Sequence, residues 1–426
     1  MTIIDQNTSK EEILDLLLKN RHIEEKAKQE FLSPTSPKNL LPKDFGINQK
    51  SLNKAIIRIN KAIENKENIL IYGDYDVDGL TATAILWRVL FEKKANVTPF
   101  IPDRQEDGYG IKANSFFRFQ TQKKIKFDLL ITVDNGIVAH KELQKILDSG
   151  VEIVISDHHL ADKLLPKSII SVHSTAVSGS VVSWLIAREI SQKADLGLAA
   201  LGTVADCLPL NTINRNIVYH GIKSLQKNPN FGIKKLIEIS GIKQDKISTY
   251  ELGFVIGPRL NAVGRLSNPT DALRLLCSSS DNQASKYATI LDGYNKDRQS
   301  LQQESVEVAQ KQVKVGKDKV IFISDPSFIP GIIGLIASRF TEKHYLPSIV
   351  ISVGEKVSKG SCRSIKELNI IQALRELKNE LVELGGHAGA AGFTIETKKI
   401  PLFKKEIIKL IYLLQQMRVL KREILL

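Results

Sequence analysis

The chain has 426 residues, which allows two or three domains, and its 42% hydrophobic and 25% charged residues are ordinary for a soluble globular protein. Its formal charge of +13, from 60 Lys and Arg against 47 Asp and Glu, is compatible with a polyanionic partner, although a lysine-rich and merely soluble surface explains it equally well. The three cysteines lack C-x-x-C spacing, which argues against a zinc site or a disulfide framework, and neither a secretion signal nor about 18 consecutive apolar residues are present.

The N-terminal segment, residues 1–50, is predicted to be helical. Apolar residues recur at helical spacing between residues 9 and 31, and the Pro- and Ser-containing residues 33–37 interrupt this pattern. A further amphipathic helix, which begins near Leu52, leads into the first strand.

Strands alternate with helices over residues 51–240. Strands are predicted at residues 69–72, 97–101, 129–133 and 151–155. They are nearly all apolar and are separated by helical patterns, which is typical of a parallel sheet that is covered on both faces. We therefore expect a doubly wound α/β domain, whose ligands bind at the carboxyl ends of the strands.

The second half of the sequence predicts a helical connector and a smaller domain. The connector covers residues 241–315 and ends in one long polar helix over residues 284–313. Residues 316–400 predict a smaller α/β domain, with strands at 320–323, 348–353 and 393–395 and helices at 332–343 and 370–383. Residues 401–426 read as a basic amphipathic helix.

Three carboxylates occupy alternate positions directly after the first predicted strand: Asp74, Asp76 and Asp78. Carboxylates this close repel one another, so a bound cation would stabilise the arrangement. Oxygen ligands suit a hard ion such as Mg²⁺ or Mn²⁺ better than zinc. The alternative is a solvated acidic turn, because Asp and Gly are also turn formers.

Further metal-ligand types follow the third and fourth predicted strands and a later helix. Asp134 ends the third strand, where an Asp-Asn-Gly turn would serve equally well, and Asp157, His158 and His159 follow the fourth. Asp206 follows a predicted helix before Pro209 and could also be a capping residue. Together these segments supply enough ligands for two divalent ions, and the matching chemistry is in-line hydrolysis at phosphorus.

Several of these stretches resemble known motifs in order and spacing. Asp-Tyr-Asp-Val-Asp-Gly at residues 74–79, Val-Asp-Asn-Gly-Ile at 133–137, Ser-Asp-His-His at 156–159 and Gly-Thr-Val-Ala-Asp at 202–206 resemble the first four motifs of the DHH phosphoesterase superfamily. Residues 201–210, 257–266 and 385–392 are similar to the RecJ family in particular, which consists of exonucleases that digest single-stranded DNA from its 5′ end.

The resemblance implies roles for the site residues. The ligands of two Mn²⁺ or Mg²⁺ ions would be Asp76, Asp78, Asp134, His158 and Asp206, with Asp134 bridging. Asp74 and Asp157 would be ligands or partners of ligands, and His159 would act on the scissile phosphate. The residues that would bind the substrate phosphates are Arg104, Arg259, Arg265, Ser361, Arg363, Gly386 and His387.

These phosphate-binding residues each have an alternative. The glycine-rich residues 385–392 could instead serve tight helix packing, and each arginine could form a surface ion pair. RecJ proteins continue into an OB-fold domain where this chain has only its last residues, and residues 171–177 replace a longer loop of the family. Both departures concern strand binding, and no role is assigned to His173.

The resemblance predicts a metal-dependent phosphodiesterase that acts in DNA repair and recombination as a 5′ to 3′ exonuclease on single-stranded DNA. The alternatives are a phosphodiesterase for short oligonucleotides or cyclic dinucleotides and a non-catalytic, DNA-binding replication scaffold. The implied partners are single-stranded DNA and a single-strand-binding protein. We expect a cytoplasmic monomer that does not contact a membrane.

Overall fold

The computed structural model describes residues 9–104, 106–108, 110–313 and 319–424, with side chains up to residue 416. Residues 1–8 of the predicted N-terminal segment and residues 425 and 426 of the predicted C-terminal helix lie outside this description. The chain forms two compact units, which divide between Tyr294 and Asn295.

The first unit contains five strands and most of the helices. Its elements up to the last strand are α1 (Lys10–Asn20), α2 (Glu25–Leu32), α3 (Gln49–Glu64), β1 (Asn68–Tyr72), α4 (Val77–Glu92), β2 (Asn96–Phe100), α5 (Ala113–Lys123), β3 (Leu129–Val133), α6 (His140–Asp148), β4 (Glu152–Asp157) and β5 (Ile170–His173). The helices that follow are α7 (Gly179–Ile190), α8 (Leu196–Ala205), α9 (Thr212–Lys227), α10 (Phe231–Ile239), a π-helix (Glu251–Ile256), α11 (Gly257–Leu266), α12 (Thr270–Leu276) and the first part of α13 (Asp281–Gln312), a helix that continues into the second unit.

The five strands of this unit form one parallel sheet in the order β2-β1-β3-β4-β5. Alternate strand residues enter two separate cores, as Ile69 and Ile71 pack with α4 and α7 while Leu70 and Tyr72 pack with α5 and α6. This confirms the predicted doubly wound parallel sheet. The chain leaves β1 toward β2 and then crosses to β3 on the other side, so the strand order reverses between β1 and β3, where such sheets bind ligands.

The fifth strand was not predicted from the sequence. β5 has four residues, of which only Val172 is fully buried, so it lacks the continuous apolar run of its neighbours. It pairs with β4 from Val154 to Asp157 and extends the sheet past the segment that carries the two adjacent histidines.

The second unit is built on a mixed sheet. Its elements after α13 are β6 (Ile321–Asp325), α14 (Ile333–His344), β7 (Ser348–Ser352), β8 (Val357–Arg363), α15 (Ile370–Glu376), β9 (Leu381–His387), β10 (Ala390–Glu396) and α16 (Ile400–Ile424). The strand order is β6-β7-β8-β10-β9, in which only β6 and β7 are parallel. Buried Ile349, Ile351, Cys362 and Phe393 pack against Phe403 of α16.

One expectation for this unit was wrong, and one alternative is excluded. The helix predicted over residues 370–383 ends at Glu376, because the following residues pair with β10 as strand β9. For the same reason the glycine-rich residues 385–392 form a β-hairpin and do not pack as a helix. β8 and β9 escaped prediction since Gly, Ser, Lys and His dilute their apolar pattern, and the pairing with β10 decides their conformation.

Short 3₁₀ turns complete the architecture, at Pro37–Asn39, Pro42–Phe45, Gln244–Lys246, Lys378–Glu380 and Thr397–Lys399. Within the described ranges, every helix is either too short or too polar to cross a bilayer.

Candidate metal centre

The predicted ligands converge at the carboxyl ends of β1, β3 and β4. Asp76 is the N-cap of α4, and its carboxylate accepts a hydrogen bond of 3.0 Å from the Gly79 N–H. Asp74 is buried beside it and accepts a 2.7 Å hydrogen bond from the Tyr75 N–H. These aspartates therefore form a structured strand-to-helix junction and not a solvated turn.

Asp78 is held by a helix that the sequence did not connect to it. Its two carboxylate oxygens accept hydrogen bonds from the backbone N–H groups of Gly179, at 2.7 Å, and Ser180, at 3.0 Å. These are the first residues of α7, where backbone N–H groups lack helical partners and the helix dipole favours an anion. No side-chain pattern signals this contact, because it involves the backbone alone.

Asp134 lies at the centre of the cluster. Its φ of 61° places it in the left-handed region, which Asp tolerates better than most residues, and its N–H donates to the Ser156 carbonyl at 2.8 Å. This backbone geometry turns the carboxylate toward His158, whose Nε2 is 3.2 Å from Asp134 Oδ1. His158 Nε2 also lies 3.8 Å from Asp78 Oδ2 and 3.7 Å from Asp206 Oδ2.

Asp206 reaches the cluster from the C-terminal end of α8, where it is the C-cap. Its side chain is 33% exposed, whereas those of Asp78 and Asp134 are almost fully buried. Asp206 therefore lies at the exposed edge of the cluster, as does His159, whose side chain is 39% exposed.

Asp157 and His159 form a separate hydrogen-bonded pair at the end of β4. Asp157 Oδ2 accepts from the Ile137 N–H at 2.8 Å, and Asp157 Oδ1 is 2.8 Å from His159 Nδ1. His173, to which the sequence assigned no role, contacts the same segment, since its Nε2 is 2.7 Å from the His159 carbonyl oxygen. The His159 ring is thus oriented through its Nδ1 atom.

The electrostatics of the protein without metal are unfavourable for several carboxylates at once. Burial, and then repulsion by Asp76, raise the pKa of Asp74 to about 8. Burial and the neighbouring aspartates raise the pKa of Asp206 to about 7 and hold that of Asp134 well above its ordinary range. Burial lowers the pKa of His158, so its imidazole is neutral and able to coordinate a metal.

His159 behaves in the opposite way. Burial disfavours its charged form, but the hydrogen bond and charge of Asp157 outweigh burial and raise the pKa of His159 to about 9. The same hydrogen bond overcomes the burial of Asp157 and lowers the pKa of that carboxyl. The pair is therefore an imidazolium and a carboxylate near neutral pH.

The donor set fits hard divalent cations. Asp134 Oδ1 is buried and makes no hydrogen bond to any described residue, which is costly unless a cation compensates it. Three groups each bring their ligand atoms within 4.8 Å of one another: Asp134 with His158 and His159, Asp78 with His158 and Asp206, and Asp74 with Asp76 and Asp134. Asp134 belongs to two of these groups, which suits a bridging position.

Three predicted phosphate contacts also belong to the first unit. The guanidinium of Arg104 lies 5.3 Å from the ring centroid of Tyr75. Tyr75 stands between Asp74 and Asp76 in the sequence. Arg259 instead pairs with buried Asp292 at 2.9 Å and donates to the Val255 carbonyl, so it also anchors α11 on α13. Burial raises the pKa of the Tyr75 hydroxyl, whereas the positive charge of Arg265 favours the ionised form of that group.

The other predicted phosphate contacts lie together in the second unit. Ser361 and Arg363 are alternate residues of β8, and Arg363 Nη1 donates to Ser361 Oγ at 3.3 Å. Arg363 and His387 flank Ala390 across the sheet, so their side chains share one face. Gly386 has a φ of 138°, a conformation that requires glycine.

Two family models and several solved structures match this chain. The model of the DHH family, N-terminal domain, matches residues 68–208, and that of the DHHA1 domain matches residues 317–412, together more than half of the chain. A crystal structure of exonuclease RecJ bound to manganese is 33% identical, with a TM-score of 0.75 over 85% of this chain and 94% of that chain. This chain belongs to the RecJ family.

Two RecJ relatives are considerably longer than this chain. RecJ of Thermus thermophilus, in a crystal structure with Mn²⁺, is 31% identical with a TM-score of 0.80, over 94% of this chain and 58% of that chain. The single-stranded-DNA-specific exonuclease RecJ of Bacillus subtilis is 34% identical over 83% of this chain and 46% of its own length. The present chain thus spans about half the length of these RecJ relatives.

Gly179 gives a test of the centre that replaces none of the proposed ligand residues. A Cβ at this position would lie 2.5 Å from Asp134 Oδ1, so Gly179→Ala should displace the carboxylate at the middle of the RecJ-family site. We expect the affinity for Mn²⁺, measured by calorimetric titration, to fall about tenfold or more. The matched control is Gly293→Ala in α13, where an added Cβ has no atom of the described residues within 4 Å and affinity should not change. Equal affinities in the two variants would contradict this packing.

Proposed function

We propose that this chain is a metal-dependent phosphodiesterase that digests single-stranded DNA from its 5′ end in DNA repair and recombination. The observation that carries this proposal is the buried Asp134 carboxylate, one of whose oxygens accepts no hydrogen bond from the described residues, at the switch point of a RecJ-family sheet. His158 Nε2 lies 3.2 Å from this carboxylate, 3.8 Å from that of Asp78 and 3.7 Å from that of Asp206. Such a cluster has a physical reason to exist only if cations compensate its charge.

The residues that would hold two Mn²⁺ or Mg²⁺ ions are Asp76, Asp78, Asp134, His158 and Asp206, with Asp134 between them. When bound, such ions polarise a phosphodiester and make water a stronger nucleophile. The protein prepares this by holding Asp78 on the N-terminus of α7 and by keeping the His158 ring neutral. Asp74, whose pKa is raised to about 8, would serve as a ligand or as a partner of Asp76.

His159 would act on the scissile phosphate and not on a metal. Asp157 orients the ring through Nδ1, and the pKa of about 9 keeps the ring protonated, so Nε2 also carries a proton that can be donated to a phosphate oxygen. Asp157 acts as a positioning residue, because three of its contacts are to the backbone or ring of the segment that carries His159.

The second unit supports an anion-binding role for its predicted residues. Arg363 is partly buried, and hydrogen bonds to Ser361 Oγ and to the Cys362 carbonyl orient its guanidinium. Both side chains lie against Gly334 in the first turn of α14, a helix whose N-cap has no side-chain hydrogen bond. A phosphate placed there would meet a guanidinium, a hydroxyl and the N–H groups of a helix N-terminus. The resemblance assigns such positions to the 5′ phosphate, with Arg104, Arg259, Arg265, Gly386 and His387.

The product ladder from a long single strand, labelled at its 5′ end and incubated with Mn²⁺, tests the function. We expect the label to appear at once as a mononucleotide, no cleavage with EDTA, and weaker binding as salt rises. A label that moves gradually to shorter fragments would show the opposite polarity. Faster turnover of a dinucleotide with survival of the long strand would favour the short-oligonucleotide activity, and binding without cleavage would favour the scaffold.

We infer a cytoplasmic protein that acts as a monomer and receives its substrate from a single-strand-binding protein. Size-exclusion chromatography with light scattering, with and without that partner, would measure both states.

A further inference from the structure

An exposed pair of stacked aromatic rings lies in the first unit, and none of the roles described above uses it. Tyr250 and Phe254 are 62% and 72% exposed. Their ring centroids are 5.2 Å apart, and their planes differ by only 25°. Single exposed apolar residues are common, but two nearly parallel rings present a continuous flat apolar surface.

The local backbone fixes this pair. Tyr250 directly precedes the π-helix and Phe254 lies within it, while Leu252 and Ile256 of the same segment are fully buried. The Gly257 N–H bonds to the Leu252 carbonyl five residues earlier, and Pro258 follows without an N–H group. Segments of π-helix are rare and often occur at functional sites.

The position of this helical run relates the rings to the metal centre. A Cβ on Gly253 would lie 3.4 Å from Val204 Cγ1, and one on Gly257 would lie 4.0 Å from Ala205 Cβ. The π-helix therefore runs along the last turn of α8, which ends on Asp206. Farther along, a Cβ on Gly264 would lie 3.2 Å from the Tyr75 carbonyl, so α11 reaches the turn between Asp74 and Asp76.

The helical run thus borders the centre from one ligand segment to another, on the side where Asp206 is exposed. The rings therefore lie on a helical run that contacts two of the segments that carry predicted metal ligands. We propose that Tyr250 and Phe254 form a stacking platform for the bases of the single strand whose end is bound at the metal centre.

Nucleic acid is the occupant that the surroundings favour. Nucleobases stack on aromatic rings without regard to sequence, which suits an enzyme that must move along any strand. The chain carries a net charge of +13, and Arg265 lies on α11, the helix that follows the π-helix. The phosphates of a nucleic acid strand are attracted by this positive charge, whereas an apolar peptide would gain nothing from it. This inference rests on the proposed function, and it adds a surface that binds bases to residues that bind metal and phosphate.

Truncation of one ring tests the platform. In protein made inactive by Asp134→Asn, we expect Phe254→Ala to weaken binding of a strand of about 20 nucleotides by about tenfold, and binding of a dinucleotide much less. The slope of log Kd against log salt should stay that of the parent, because stacking involves no phosphate charge. Phe254→Trp should restore affinity.

A second aromatic pair provides the matched control. Trp87 and Phe91 stack at 4.7 Å and 19° at the far end of α4, the helix whose N-cap is Asp76, and Phe91 is 60% exposed. Phe91→Ala should leave strand binding unchanged. An equal Kd for Phe254→Ala and its parent, or an equal loss in Phe91→Ala, would overturn the platform. Failure of the parent protein to bind strands, with no digestion by the wild type, would instead overturn the proposed function.

Discussion

Asp134→Asn is expected to abolish phosphodiester hydrolysis while it stabilises the protein in the absence of metal. Asparagine keeps the size of the side chain and accepts the left-handed φ of 61°, so the backbone should not change. It removes the charge through which Asp134 would bridge two cations, and we expect the rate to fall about a thousandfold or more. Rates of digestion at saturating Mn²⁺ would measure this loss.

A gain in stability would show that Asp134→Asn loses activity because it loses metal, and not because it unfolds. Burial and the surrounding aspartates hold the pKa of Asp134 well above its ordinary range, so its ionised form destabilises the metal-free protein near neutral pH. We therefore expect a higher Tm for Asp134→Asn in EDTA, and a smaller rise in Tm when Mn²⁺ is added. Asp245→Asn, at a side chain that is 73% exposed, should change neither quantity. Full activity of Asp134→Asn would exclude the two-metal proposal.

The sequence predicted the sheet and the clustering of the polar residues that follow its strands, because both depend on short-range patterns. Apolar runs between helices specify a doubly wound sheet, and parallel strands must end at one edge, which brings Asp74, Asp134 and Asp157 together. The strand order followed from neither argument. The order reverses between β1 and β3, and the segments that carry Asp78 and Asp134 follow these two neighbouring strands.

Other features lay beyond sequence reasoning for physical reasons. The hold of α7 on Asp78 uses backbone N–H groups, which every residue except proline carries. The pairing of Arg259 with Asp292 depends on how α11 packs on α13. The hairpin at residues 385–392 forms since β10 offers a partner strand, whereas local propensity alone suggested a helix or a loop. The roles of individual ligands and phosphate contacts remain predictions.

The metal-free protein should lose stability as pH rises from about 7 to about 9, and added Mg²⁺ should reverse this loss. In the folded protein, burial and Asp76 raise the pKa of Asp74 to about 8, and the hydrogen bond that His159 donates to Asp157 outweighs burial and raises the pKa of His159 to about 9. In the unfolded chain these groups release their protons near pH 4 and pH 6.5 respectively. The folded state therefore binds more protons within this window.

Asp74 and His159 change the stability in the same direction. Asp74 and His159 both have raised pKa values, so their contribution to the free energy of unfolding is complete at low pH and is lost as pH passes the folded-state value. The lowered pKa values of His158 and Asp157 act below this window and do not oppose the fall. After allowance for coupling, we expect the free energy of unfolding to fall by about 1 to 3 kcal/mol from pH 7 to pH 9.

Divalent cations should replace the protons that the cluster loses. Because carboxylates and imidazoles bind metal in their deprotonated forms, the rise in Tm on addition of Mg²⁺ should grow with pH. Thermal unfolding in EDTA and in saturating Mg²⁺, followed at several pH values, measures both trends. The slope in EDTA should be smaller in Asp134→Asn, which lacks one of the repelling charges. A Tm in EDTA that is independent of pH in the wild type would mean that the aspartates do not share the buried site described here.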